Sequence, residues 1–180
     1  MNINRIFCVD CYEWKKLADL EMLPERPGDL YCDTCGCALI ELKDKKNVEF
    51  EFMLPRNTKL KKQNMVINSN DRWHSQEKAK MTKRIRGLAN YCVSAEKDKQ
   101  AKPFSSKNPC RVSITVYSPT RSRLDPPNLY PTIKAIIDGM TDAGIWVDDN
   151  YKVIRSMSFR YGGLSGKKGF YRFVLTVEEV

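Results

Sequence analysis

The chain has 180 residues, 42% of them hydrophobic, enough for one medium domain with its own core and a small extra module. No run approaches the roughly 18–20 apolar residues of a membrane span. The opening MNINRIFCVDCYEWKK lacks the apolar stretch of a signal peptide, so a cytoplasmic protein is expected.

The net charge of +9 is unevenly placed: residues 1–46 hold 7 Lys/Arg against 9 Asp/Glu, and residues 47–180 hold 24 against 13. A basic main domain suits a polyanionic partner, because neutralised phosphates release counterions. A soluble basic surface with no nucleic acid to bind is the plainer reading.

Cys8 and Cys11 form one CxxC pair, and Cys32 and Cys35 form a second. Two such pairs at this spacing, in a reducing compartment, predict a tetrahedral Zn²⁺ site rather than disulfides. Gly36 follows Cys35 and suits the tight turn of a thiolate knuckle, which favours Cys35 over Cys37 as the fourth ligand. A zinc ribbon and short linker are therefore expected over 1–46, with the metal supplying much of the folding energy. Cys92 and Cys110 stand alone and read as small buried hydrophobes.

From residue 47 the pattern changes. Val48, Phe50, Phe52 and Leu54 alternate with Glu49 and Glu51, a half-buried strand ended by Pro55. Ser75 can cap a helix over about 76–93, with Met81, Ile85, Leu88 and Cys92 as its apolar stripe and Lys78, Lys80, Lys83, Arg84 and Arg86 on its surface. Residues 97–109 read as a mobile loop. Val112, Ile114 and Val116 mark a second strand. Leu129, Ile133, Ile136, Ile137 and Met140 then mark a second helix, which Gly144 would stop. Two last strands, about 152–161 and 170–178, flank GGLSGKKG and read as a hairpin. The predicted fold is α/β: a mixed four-stranded sheet with two main helices in the order β-α-β-α-β-β. Neither GxGxxG nor a P-loop is present.

Leu124–Asp149 gathers the candidate chemistry. Asp125 precedes Pro126 and Pro127, and either caps the helix or offers a carboxylate to a metal. Asn128 has the same two readings. Lys134 and Asp138 are four residues apart and share a helix face, as a weak surface pair or as part of a site. Asp148 and Asp149 are turn residues or ligands. Mg²⁺ takes hard oxygen ligands and keeps several waters, so Asp125, Asp148 and Asp149 could hold it while Lys134 stabilises transition-state charge. The single histidine, His74, fits packing or DNA contact better than general-base chemistry. A helix of about 14 residues spans roughly 21 Å. Asp149 must therefore return to Asp125 through an extended 144–149 segment, or a partner subunit must complete the site.

The segment DPPNLYPTIKAIIDGMTDAGIWVDD resembles the RusA family of Holliday junction resolvases, in the form found in phages and prophages. NSNDRWHSQEKAKMTKRIRGLA is similar to the helix entry of phage members, and the likeness runs over about 47–180. The resemblance implies a homodimeric endonuclease, dependent on Mg²⁺ or Mn²⁺, that resolves four-way DNA junctions by paired nicks in a bacterial host cell. It puts the family's first motif aspartate on Asp125, its asparagine on Asn128, its lysine on Lys134 and its later aspartate on Asp149. Members with a D-x-D-N motif carry a second acid where this chain has Pro127. A non-catalytic binder of branched DNA is therefore an alternative, and the small Cys₄ module suggests an RNA-associated zinc-ribbon protein as another. The zinc ribbon lies outside the family pattern and reads as an accessory DNA-binding or dimer-stabilising module.

Overall fold

The computed structural model describes residues 47–96 and 102–180, together with four short strands ahead of them. The chain divides into two compact units, Met1–Lys45 and Lys46–Val180. In the first, β1 (Arg5–Cys8) pairs antiparallel with β2 (Glu13–Lys16), and β3 (Leu30–Tyr31) with β4 (Ala38–Leu39). Cys8 is the last residue of β1. The Zn²⁺ ligands expected at Cys11, Cys32 and Cys35 lie outside the described residues.

The second unit runs β5 (Asn47–Pro55), α1 (Ser75–Glu96), β6 (Cys110–Ser118), α2 (Tyr130–Asp142), β7 (Ile154–Leu164) and β8 (Phe170–Glu179). This is the expected α/β order. The sheet reads β5-β8-β6-β7, with β8 antiparallel to both β5 and β6, and β6 parallel to β7. The alternation predicted in β5 and β6 holds: Phe50, Phe52, Leu54, Val112, Ile114 and Val116 are buried. Among the described residues, no helix is long and apolar enough to cross a membrane.

The hairpin expected between the last two strands is absent, because β8 lies between β5 and β6 and does not pair with β7. The connecting loop instead passes over the end of β6, where Ser165 N–H donates to the Ser118 carbonyl at 2.8 Å. That crossing uses positive φ at Gly163, Gly166 and Gly169, conformations that glycine adopts without steric cost. The same glycines that suggested a tight turn serve a longer step.

α2 buries Ile133, Ile136, Ile137 and Met140 completely, and Leu129 just ahead of it is almost as buried; each such side chain stabilises the fold by about 1.5–3 kcal/mol. Its end is a Schellman motif: Gly144 has φ 73°, Gly144 N–H donates to Thr141 O, and Ile145 N–H to Met140 O. The stripe expected on α1 is displaced. Its buried residues are Met81, Ile85, Ala89 and Val93, while Leu88 is exposed and Cys92 only half-buried. The reason is close approach to α2: a Cβ on Gly139 would stand 2.7 Å from that of Ala89. Small residues at that contact turn the Ala89 face inward and leave Leu88 outside. Cys110 is fully buried, and burial pushes its thiol up to about 11.

Residues 56–71 are pinned to the start of α2. Thr132, fully buried, accepts from Ile67 N–H at 2.7 Å and donates to Ile67 O at 2.8 Å. Arg56 makes a two-pronged pair with Asp71, both bonds 2.7 Å, and a third to Val66 O at 2.9 Å. Burial of Asp71 opposes its ionisation. Hydrogen bonds from Arg56, Asn68 and Trp73, with the Arg56 charge, outweigh that and bring its pKa down to about 2.

The segment after α2 is locked too. Phe104 N–H donates to Ile145 O and Val147 N–H to Phe104 O, each at 2.9 Å, and Phe104 and Trp146 are both buried. Trp146 Nε1–H donates to Thr141 Oγ1 at 2.6 Å. The expected mobile loop therefore fails at 102–109, where an aromatic anchor enters the core.

Two stability predictions follow from these anchors. A depressed folded pKa adds stability that is full above the unfolded value, near pH 4, and is lost as pH falls toward 2. Denaturant unfolding should show about 2 kcal/mol lost over that window through Asp71, and Asp71→Asn should flatten that part of the profile. Phe104→Leu should cost about 1 kcal/mol and shift tryptophan emission to the red as Trp146 loosens. An unchanged spectrum would show that the anchor does not hold this segment.

Candidate active site

The site forms where the return segment meets α2. Asp125 ends the extended stretch leaving β6, and Pro126–Leu129 make a 3₁₀ turn that leads into α2. The two prolines suit this turn because they fix φ and remove amide donors at positions with no helical partner. Asn128 N–H donates to the Asp125 carbonyl at 3.0 Å, and the Asn128 carbonyl accepts from Ser69 N–H at 2.7 Å. The docked 56–71 loop thus fixes the turn from one side.

Asp125 occupies the capping position, yet its carboxylate makes no capping hydrogen bond. It is exposed, with Arg123 Nε 3.9 Å away. The capping reading of Asp125 is therefore not what its side chain does, and its oxygens face solvent.

Lys134 and Asp138 pair one turn apart, as their spacing predicts. Asp149 joins them: Lys134 Nζ donates to Asp149 Oδ2 at 2.6 Å and also to Asp138 Oδ1. The return segment 143–149 therefore brings Asp149 back to α2 within one chain. Burial works against the lysine's charge, but the hydrogen bonds and charges of Asp138 and Asp149 hold its pKa above the usual lysine range. It stays protonated at any physiological pH.

Asp148 is engaged locally. Its Oδ1 accepts the Asp149 N–H at 2.8 Å and its Oδ2 the Asn150 side-chain amide at 2.7 Å. That is the turn geometry open to such a residue, though each oxygen keeps a second lone pair. His74 is exposed just ahead of α1, and its carbonyl accepts from Lys78 N–H at 3.0 Å.

A further pair lies next to this set and was not singled out from sequence. Arg86 of α1 grips Asp142 of α2 through Nε at 2.5 Å and Nη2 at 2.6 Å. The Asp142 hydrogen bond raises the Arg86 pKa, with smaller contributions from Asp138 and Asp149. Lys134, Asp138 and Asp142 recur every four residues, so one face of α2 carries a lysine followed by two acids. That spacing was the available signal.

Among the described residues, no group of three or more His, Cys, Asp or Glu side chains is gathered as a metal site. The donor chemistry fits a sparse Mg²⁺ site of one or two carboxylates completed by water and phosphate oxygens. It does not fit an all-protein cage.

No family model and no curated protein matches the chain. Among solved structures it is similar to part of the crystal structure of thiamine-monophosphate kinase from Stenotrophomonas maltophilia K279a. The two share 12% identity over 87% of this chain and 38% of that chain, with a TM-score of 0.25. The chain thus spans well under half of that kinase, and a likeness of this size carries neither fold nor function across.

Proposed function

We propose that the chain is a structure-selective endodeoxyribonuclease that resolves four-way DNA junctions by paired nicks, working as a homodimer in the cytoplasm of a bacterial host cell. The observation that carries this reading is the protonated Lys134 held between Asp138 and Asp149, on the helix that the exposed Asp125 precedes. The sequence resemblance to RusA resolvases over the same segment supports it.

In this reading Asp125 and Asp149 hold Mg²⁺ or Mn²⁺, with Asp148 or Asp138 as further oxygen donors. Bound there, the ion would lower the pKa of an attacking water and offset charge on the phosphate. Lys134 donates to a phosphate oxygen as negative charge grows in the transition state, and its two acid partners keep it charged and aimed. Asn128, on the turn between Asp125 and α2, orients the strand. Water adds to phosphorus and releases a proton to solvent, one P–O ester bond breaks, and the leaving oxygen takes a proton from solvent.

The spacing of the two CxxC pairs, Cys8–Cys11 and Cys32–Cys35, motivates a Zn²⁺ ribbon in this reading. A knuckle at each pair would present four thiolates to one ion. A second functional reading, a junction binder that does not cut, is favoured by Pro127, which stands in the 3₁₀ turn where a second acid would be.

The test is incubation with a synthetic four-way junction and Mg²⁺. Symmetric nicks are expected, lost by at least about 100-fold in Asp125→Asn and in Asp149→Asn, equivalent to about 2.7 kcal/mol of barrier, with junction affinity retained. Binding without nicking at any Mg²⁺ or Mn²⁺ concentration would favour the binder instead. For the ribbon, metal analysis should return about one Zn²⁺ per chain, and Cys8→Ser with Cys35→Ser should abolish it. Full zinc content in that double variant would overturn the ligand assignment.

A further inference from the structure

Tyr130, next to the Asp125 turn, and Tyr161 of β7 are both exposed. Tyr130, the first residue of α2, is 43% exposed and packs edge-to-face on Phe159 of β7, with ring centroids 6.3 Å apart and planes at 70°. Tyr161 lies two residues further along β7, on the same face of the strand as Phe159, and is 47% exposed. Phe159 is itself packed against the core, so Tyr130 rests on a firm base.

The surroundings are cationic. The segment carrying Arg121 and Arg123 leaves β6 at the end over which the loop with Lys168 crosses, and all three side chains are exposed. Residues 154–177 contain five Lys/Arg and no Asp or Glu, and Asp125 is the only acid between 119 and 137. Solvent-exposed aromatic rings with a rim of positive charge complement a base and its phosphates. In a duplex each base already stacks on its neighbours, so such rings can stack only on a base left unpaired, as at a branch point.

We infer that Tyr130 and Tyr161 form a stacking shelf for an unpaired nucleobase, with the phosphates of its strand running along Arg121, Arg123 and Lys168. The inference rests on the nuclease reading for its choice of DNA, and it adds how a branched strand is told from a plain duplex. The shelf acts on binding and lies outside the proposed metal ligands.

The test uses the full chain and a four-way junction with 2-aminopurine at the branch point, in Ca²⁺ to hold off cleavage. Binding should quench the fluorescent base. Tyr130→Ala and Tyr161→Ala should each reduce the quench and weaken binding roughly tenfold, while leaving affinity for plain duplex within about twofold, since that is set by phosphate contacts. Tyr130→Phe and Tyr161→Phe should behave as the natural chain, because stacking needs the ring and not the hydroxyl. An unchanged quench and affinity in the alanine variants would sink the shelf, as would competition by poly-glutamate as effective as that by DNA. Junction cleavage that survives in variants with no loss of quench removes the shelf alone. A quench that behaves as expected in a chain that never nicks DNA removes the nuclease reading alone.

Discussion

The parallel pairing of β6 with β7 is the constraint on which the rest of the second unit depends. Parallel neighbours cannot be joined by a tight turn, so the chain must cross the sheet between them. Here the crossing is α2, and its two connections carry candidate residues: Asp125 on the way in, Asp149 on the way back. Because β8 then fills the place between β5 and β6, strands β5, β6 and β7 all point the same way. Their outgoing loops therefore gather at one end of the sheet, the end at which Asp125 lies. Ligand sites in α/β folds are commonly built at such an end, where loops converge over rigid strands.

Two anchors turn that topology into a defined geometry. The Arg56–Asp71 pair and Thr132 tie the 56–71 loop to the start of α2, and Phe104 with Trp146 ties the return segment to the core. A satisfied buried polar group such as Thr132 contributes modestly when paired and costs far more when left unpaired. These contacts therefore select one arrangement more than they add raw stability. Without the second anchor, Asp149 would sit on an unrestrained six-residue stretch, and a hydrogen bond to Lys134 would have to offset the entropy of ordering it.

What could be read from sequence divides along local and non-local lines. The alternation of Phe50, Phe52 and Leu54 and the spacing of Ile133, Ile137 and Met140 report on a single element, and both elements are present. Gly144 ends α2 as its position suggests, because a helix stop is a local event. The strand pairing is not local: nothing in GGLSGKKG distinguishes a tight turn from a loop that steps over β6, since both need glycine at positive φ. Leu88 looked like core because it is apolar at a helical spacing, but the contact of Ala89 with Gly139 rotates the face that α1 presents. Phe104 was hidden in a Lys- and Ser-rich stretch. At the site, the Lys134–Asp138 pair is legible from its four-residue spacing, whereas the third member, Asp149, depends on a chain reversal set by the core.

The charge balance of the site bears on how a divalent ion would be held in the proposed reading. Lys134 sits against two carboxylates, so this cluster carries a net charge near −1 and not −2. With Pro127 in the turn, Asp125 has no neighbouring acid within it, and Arg123 stands beside it. A site so poor in negative charge draws Mg²⁺ weakly by itself, and Mg²⁺ gives up its waters reluctantly. A phosphodiester in the proposed site would supply both the missing charge and further oxygen donors, and would meet the ammonium of Lys134 at the same time. Metal and DNA would then bind with positive coupling, each raising the affinity of the other by the same factor. In that reading, such coupling would restrict hydrolysis to a strand already seated against the helix, the selectivity that a nuclease with an exposed and electrostatically sparse centre requires.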